Sequence, residues 1–145
     1  AKNVTAEDAL DHVFGYTVIN DVGSRSVQFH NGQVDLGKNF DTFCPMGPCI
    51  VTADELDASN LAMSVRVNGE LWGEDTSAHM HHSFADMIAY VSQAQTIYPG
   101  EVFGSGTAEG GAGIETDRYL SEGDVVELEI EGIGVLRNTI GKKGA

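Results

Sequence analysis

The sequence predicts a mainly β protein with a few short helices. The β-branched run Thr17-Val18-Ile19 and the segment 125–130, which opens with paired valines and then alternates, are both typical of strands. The pair Asn68-Gly69 lies between two further apolar segments and is typical of a two-residue hairpin turn. Apolar residues at helical spacing occur in the segments 6–14 and 84–95. Circular dichroism should therefore not be dominated by helix.

The chain length and charge limit the class of protein and its partners. The 145 residues, of which 41% are hydrophobic, suffice for one core. Against 22 acidic residues there are 8 basic ones, so the net charge is −14 and the pI is about 4.4. The negative electrostatic field of such a protein repels phosphate backbones and anionic membranes, so we expect neither nucleic acid nor a membrane as a partner. No long apolar run or signal-like start is visible, and a cytoplasmic location is expected.

The first third of the chain should form one helix, one strand and a long loop. Thr5 with Asp8 resembles a capping box, and apolar residues then predict a helix over 6–14. Gly15 ends it, and residues 16–20 predict a buried strand. The polar segment 21–43 is rich in glycine, so we expect a loop around an active site there.

The rest of the chain should supply the remaining strands and one more helix. Ser83 with Asp86 forms a second capping-box pattern, at the start of the helix expected over 84–95. The strands are expected at 49–52, in a hairpin of 61–67 with 70–72, and in a second hairpin of 125–130 with 133–136.

Candidate functional side chains follow the first predicted strand. They are Asp21, Arg25, Gln28 and Lys38. Thr107, which lies later in the chain in the glycine-rich segment 104–107, is a further candidate because of its polar head group. A carboxylate at a strand end can hold a hard divalent cation, and the cations can neutralise charge that develops on oxygen. The set suits a small anionic, oxygen-rich substrate. The alternative is a simple turn in which Asp21 pairs with Arg25.

Two other groups are predicted to be structural. The cluster His79, His81 and His82 lies on an irregular segment whose neighbouring positions rarely converge on one ion, so we expect no metal there. Cys44 and Cys49 have the spacing of neither a redox pair nor a zinc knuckle, and we expect reduced, buried thiols.

Several segments resemble the fumarylacetoacetate hydrolase family. They are 20–28, 38–48, 67–70, 84–92, 104–107 and 132–138, so the resemblance runs almost from end to end. It implies a mixed-sheet β-roll or sandwich and a homodimer. It also implies a hydrolase that cleaves the carbon–carbon bond of a small β-diketo 2-oxo acid, of the fumarylacetoacetate or acylpyruvate type, as in aromatic catabolism. Some relatives instead decarboxylate, isomerise or hydrate such acids.

The resemblance also implies a role for each candidate residue. Asp21 would be one of three carboxylate ligands of Mg²⁺ or Mn²⁺, with Ca²⁺ as a further option. Lys38 would stabilise the oxyanion or enolate, Arg25 and Gln28 would line the substrate side, and Thr107 would help to anchor the substrate carboxylate.

One departure from the family pattern bears on the domain assignment. The family's Glu-x-Glu metal motif and its water-activating His and Glu lie upstream of the segment that matches Ala1. Glu127-Leu128-Glu129 matches the Glu-x-Glu pattern, but we interpret its two glutamates as alternating surface carboxylates of a late strand. We therefore expect residues 1–145 to be the C-terminal two thirds of one catalytic domain, without the N-terminal part that carries the Glu-x-Glu motif. That part could be a separate or cleaved chain, or this protein could be an inactive remnant. The alternative is a non-catalytic binding or scaffolding β domain.

Overall fold

The computed structural model describes residues 1–32 and 34–142. Within these residues the chain forms six strands, two α-helices and three short 3₁₀ helices. The strands are β1 (Gly15–Ile19), β2 (Met46–Thr52), β3 (Ala62–Val67), β4 (Glu70–Thr76), β5 (Val125–Ile130) and β6 (Gly134–Thr139). The helices are α1 (Arg25–Asn31) and α2 (Phe84–Ala94), and the 3₁₀ helices are Ala9–His12, Ser77–His79 and Gly113–Glu115. No helix in the described ranges is long and apolar enough to span a membrane.

The strands form two antiparallel sheets. β1 pairs with β2, and the other four strands have the order β4-β3-β5-β6. The mainly β class is confirmed. A mixed sheet is not seen in the part of the chain that the structure describes, since every pairing there is antiparallel.

The two sheets share a core that fixes the end of β1. Val18 is 2% exposed and packs with the buried Ile133 and Leu136 of the β5–β6 hairpin. Beyond the strand, Asn20 Nδ2 donates to Asn138 Oδ1 at 3.1 Å. The chain that leaves β1 is therefore held against β6 by apolar packing and by a side-chain hydrogen bond.

The predicted hairpins are present. Asn68 and Gly69 take positive φ values of 52° and 82° between β3 and β4, as a type I′ turn requires. Val65, Val67 and Val126 form a second buried cluster beneath this hairpin. β4 extends further than expected, because its pairing with β3 continues as far as Thr76 and Ala62.

β2 also begins earlier than the sequence predicts. Pro48 lies inside the strand, which is tolerated because β2 has a single partner and its other side is an edge. Cys49 lies in the same strand, and its thiol is 3.6 Å from the carbonyl oxygen of Ile133. Both Cys44 and Cys49 are free and exposed, so the expectation of buried thiols is wrong. Residues 46–50 are largely exposed because one face of this small sheet is uncovered.

Helix α2 is confirmed, including its capping box. The Ser83 hydroxyl accepts from the Asp86 amide, and the Asp86 carboxylate accepts from the Ser83 amide. Ser92 on this helix is fully buried, and its hydroxyl accepts from the Val4 amide at 3.0 Å. The N-terminal segment is therefore tied along α2.

The helix predicted over 6–14 is wrong in length and type. The structure has a turn followed by a 3₁₀ helix at Ala9–His12, although the expected bond from the Asp8 amide to Thr5 Oγ1 is present. Ala9 is fully buried, whereas Leu10 and Phe14 are 48% and 76% exposed. An apolar face that packs against little provides too little energy to extend a short helix.

The glycine-rich loop that follows Phe103 is hydrogen-bonded to β4 through the Asp75 side chain. The Asp75 side chain is 12% exposed and accepts from the Thr76 and Glu109 amides at 2.8 and 3.0 Å and from His79 Nδ1 at 2.6 Å. These hydrogen bonds lower the pKa of Asp75 below its usual range, and the bond from the Thr76 amide has the largest effect. A Cβ on Gly73 would lie 2.5 Å from the carbonyl oxygen of Gly110, so only glycine permits this approach.

The core between the sheets predicts a large stability difference between two adjacent residues. Leu136 is 8% exposed and Val135 is 42% exposed on the same strand. Leu136→Ala should lower the free energy of unfolding by about 2–5 kcal/mol, because it leaves a cavity. Val135→Ala should change it by less than about 0.5 kcal/mol. Chemical denaturation of both variants tests this, and equal losses would contradict the described packing.

The anchor at Asp75 predicts a pH dependence. A carboxylate whose folded pKa is lowered contributes stability above its unfolded pKa, and that contribution is lost as the pH falls through the folded value. The amide protection factor of Glu109 should therefore fall in acid, and in Asp75→Asn it should already be low at neutral pH. Hydrogen exchange measures both, with the exposed Asp117→Asn as control. Unchanged protection of Glu109 in Asp75→Asn would refute the anchor.

Candidate functional site

Asp21 and Lys38 meet at the end of β1. Asp21 follows the strand by two residues, and its carboxylate forms an ion pair with Lys38 Nζ. The two side chains are 48% and 29% exposed, so the pair lies at the surface and is open to a ligand. The alternative in which Asp21 pairs with Arg25 is wrong, because Arg25 turns toward Gln28 instead.

The segment expected as a loop over 21–43 contains helix α1. Its residues Arg25–Asn31 begin after Ser24, and Gly32 ends the helix with a left-handed φ of 60°. Ser, Val, Phe, His and Asn are weak helix formers, so no helix could be predicted here from local preferences. Packing of Gln28 supports the helix instead.

Gln28 is the buried residue of α1. It is 5% exposed, whereas the neighbouring Phe29 is 72% exposed. A Cβ on Gly37 would lie 2.3 Å from Gln28 Cγ, so the stem of Gln28 packs directly on that glycine. The Ser24 amide also donates to the Gly37 carbonyl at 2.8 Å. Gly37 was not among the predicted site residues, since its part in the site depends on this tertiary contact.

Arg25 fixes the orientation of the Gln28 amide. Arg25 Nη1 donates to Gln28 Oε1 at 3.0 Å. A guanidinium has no acceptor, so the oxygen of the amide must face it and the NH₂ group must face the other way. Arg25 and Gln28 thus form one hydrogen-bonded pair, and Asp21 and Lys38 form an ion pair close to it.

Lys38 is placed by a turn of its own. Its amide donates to the Asp35 carbonyl at 3.0 Å, directly after Gly37. Phe40 and Phe43 pack together with their ring centroids 5.3 Å apart, although Phe40 is 46% exposed.

Thr107 belongs to a different part of the surface. It lies in the loop that Asp75 fastens to β4, and its methyl carbon is 3.3 Å from the position of a Cβ on Gly111. No hydrogen bond or ion pair in residues 1–32 and 34–142 joins Thr107 to Asp21, Arg25 or Lys38. The structure therefore brings four of the five predicted side chains together.

The histidines and the concave surfaces lie elsewhere. His79 Nδ1 contacts Asp75, while the His81 and His82 rings stack edge to face with centroids 4.5 Å apart. Two concave regions of about 500 and 790 Å³ border Tyr16 and Ser64, respectively. Neither is lined by Asp21 or Lys38.

The described residues of this chain do not complete a divalent metal site. Mg²⁺ requires about six oxygen ligands in octahedral geometry, some of them water. Asp21 offers one carboxylate, which Lys38 neutralises here. No group of three or more His, Cys, Asp or Glu side chains among residues 1–32 and 34–142 is placed to hold a metal ion. No catalytic step is therefore assigned to a metal.

Comparisons by family model, by sequence and by structure all point to the same family. The family model "Fumarylacetoacetate (FAA) hydrolase C-terminal" matches residues 1–141. The chain is 45% identical over 143 residues to human oxaloacetate tautomerase FAHD2A, mitochondrial, covering 96% of this chain and 46% of that protein. The chain thus spans about half the length of the curated relatives it matches.

Solved structures of the family have the same fold. A fumarylacetoacetate hydrolase from Exiguobacterium antarcticum superposes with a TM-score of 0.93 at 40% identity, over 99% of this chain and 52% of that one. Maleylpyruvate hydrolase from Sphingobium sp. SYK-6 gives a TM-score of 0.86 at 30% identity, over 99% and 50%. With a family model over residues 1–141, this fold, and four of the expected site residues in two neighbouring pairs, the chain belongs to the fumarylacetoacetate hydrolase family.

Proposed function

We propose that this protein acts on small 2-oxo acids through an enolate-like transition state. The observation that carries the proposal is the surface ion pair of Lys38 and Asp21, held beside the buried Gln28. A preorganised ammonium near a carbonyl oxygen stabilises the negative charge that develops there more than it stabilises the ground state. Stabilisation of this negative charge is a shared requirement of reactions that break a bond next to a carbonyl group.

The reaction that the relatives favour is keto–enol tautomerisation. The curated relative FAHD2A, at 45% identity, is named an oxaloacetate tautomerase. In this reaction a proton leaves the carbon next to the carbonyl, and its bonding electrons form the carbon–carbon double bond. The carbonyl oxygen takes up the charge and then a proton. Lys38 would face that oxygen, with its charge balanced by Asp21 in the resting state.

Carbon–carbon bond hydrolysis is the second candidate. It is the reaction that the family resemblance implies, and two structural neighbours are named hydrolases. Hydrolysis releases one fragment as the same kind of enolate, so Lys38 has the same role in both reactions. The two differ in whether water attacks the second carbonyl group, which product analysis distinguishes.

The charge distribution supports an anionic substrate. The whole chain has 8 basic residues against 22 acidic ones, and two of the basic residues, Arg25 and Lys38, lie in this one site. A local cationic spot in an acidic protein attracts a small dianion while the overall field repels polyanions.

Asp21 is the proposed metal ligand of this chain. A carboxylate is a hard ligand suited to Mg²⁺ or Mn²⁺, whereas imidazoles suit Zn²⁺ or Cu²⁺. The remaining ligands would come from outside the residues described here, from a segment equivalent to the other half of the longer relatives.

Removal of the Lys38 charge should slow turnover strongly. Lys38→Met should lower kcat on an active 2-oxo acid such as oxaloacetate by about 10²-fold or more, which is typical for loss of one preorganised charge stabiliser. The fold should persist, because Lys38 is partly exposed. Steady-state kinetics with unfolding curves measures both.

Lys2→Met is the matched control, since Lys2 lies beside α2 and donates to the Gln93 carbonyl. Parental turnover in Lys38→Met would remove Lys38 from the mechanism. If the parent itself fails to turn over any 2-oxo acid, the binding or scaffolding role replaces the enzymatic one.

Metal binding should depend on Asp21 and not on the histidine cluster. Asp21→Asn should weaken Mg²⁺ binding at least about 10-fold, because it removes a charged oxygen ligand. His81→Ala should leave it unchanged. Isothermal titration calorimetry on the active protein distinguishes them, and the reverse pattern would show the assignment to be wrong.

A further inference from the structure

A polar side chain interrupts the core-facing side of β6. Leu136 and Ile140 lie two residues before and after Asn138, and both pack with the apolar core clusters. Alternate residues of a strand share a face, so Asn138 also faces the core, opposite the buried Val126 of β5. An amide in such surroundings costs free energy unless it is hydrogen-bonded, whereas a leucine of similar size would fit there without that cost. Packing alone therefore does not explain an asparagine at this position.

The partner of Asn138 is Asn20, the residue directly before Asp21. Asn138 Oδ1 accepts from Asn20 Nδ2 at 3.1 Å, between residues that are 118 positions apart in the sequence. Both residues are half-buried. The hydrogen bond thus joins the C-terminal hairpin to the residue that leads the chain into the candidate site.

Asn20 in turn fixes the backbone around Asp21. The Asn20 carbonyl accepts from the Val22 amide at 2.8 Å, so Asp21 is the central residue of a three-residue γ-turn. The Asn20 amide donates to the Pro45 carbonyl at 3.0 Å. Pro45 ends the segment that begins at Lys38, and Lys38 forms the ion pair with Asp21. Asn20 is therefore bonded to the turn that carries the carboxylate and to the segment that carries the ammonium.

We infer that Asn138 and Asn20 are positioning residues, whose hydrogen bond sets the direction in which Asp21 leaves β1 and thereby the place of the Lys38 ammonium. The inference rests on the proposed function and extends it to two residues that touch no substrate. Stabilisation of a developing negative charge depends on where the ammonium is fixed, and a misplacement of about 1 Å can slow a reaction about 10²-fold. Proteins accept a polar residue on a core-facing position mainly where function requires it.

Leucine substitutions separate positioning from packing. Asn138→Leu removes the acceptor but suits a core-facing position, so the melting temperature should change by no more than about 5 °C. The kcat on oxaloacetate should fall about 10-fold or more with KM little changed, because the groups that touch the substrate remain. The double variant Asn20→Leu/Asn138→Leu should be no slower than the slower single variant, because both substitutions remove the same hydrogen bond. In the metal-free protein, the Asn20 amide should exchange about 10-fold faster or more in Asn138→Leu.

The experiment combines steady-state kinetics, thermal unfolding and amide hydrogen exchange of each variant. Thr139→Val is the matched control, since Thr139 is the next residue of β6, is exposed and lies on the opposite face. Parental kcat in Asn138→Leu, unchanged exchange of the Asn20 amide, or losses that multiply in the double variant overturn the inference while the proposed function stands. A melting temperature lowered by more than about 10 °C in Asn138→Leu shows a purely structural bond and also overturns it. A parent protein that turns over no 2-oxo acid overturns both proposals.

Discussion

The packing of Val18 against Ile133 and Leu136 is the constraint on which the candidate site depends. It fixes the small β1–β2 sheet on the β5–β6 hairpin, and so it sets where the chain leaves β1. Asn20 then reaches Asn138 on β6, and Asp21 comes next in the chain. A core contact between residues far apart in sequence thus determines where the first functional carboxylate lies.

Much of the fold could be predicted, because local signals agree with the tertiary structure. The Asn68-Gly69 turn and the Ser83 capping box need only short-range geometry, and both are present. Helix α1 could not be predicted, since its residues are weak helix formers and its support is the contact between Gln28 and Gly37. The prediction for segment 6–14 failed in the opposite sense: its apolar pattern suggests a helix, but Ala9 is buried while Leu10 and Phe14 remain largely exposed.

The residues of the candidate site could be nominated from the sequence, but their contacts could not be predicted. The resemblance nominated Asp21, Arg25, Gln28 and Lys38, and the structure arranges them as two neighbouring pairs. Sequence spacing suggested a pair between Asp21 and Arg25, whereas the turn at Gly37 delivers Lys38 to Asp21.

Enolate formation in a small 2-oxo acid begins with loss of a proton from the carbon next to the carbonyl, so proton exchange at that carbon tests whether this site promotes it. NMR in D₂O follows deuterium entering this carbon of oxaloacetate, whichever product is finally released. The active protein should accelerate the exchange over the uncatalysed reaction, and Lys38→Met should reduce the acceleration. Exchange at the uncatalysed rate with the parent protein, or at the parental rate with Lys38→Met, would show that the site does not promote enolate formation.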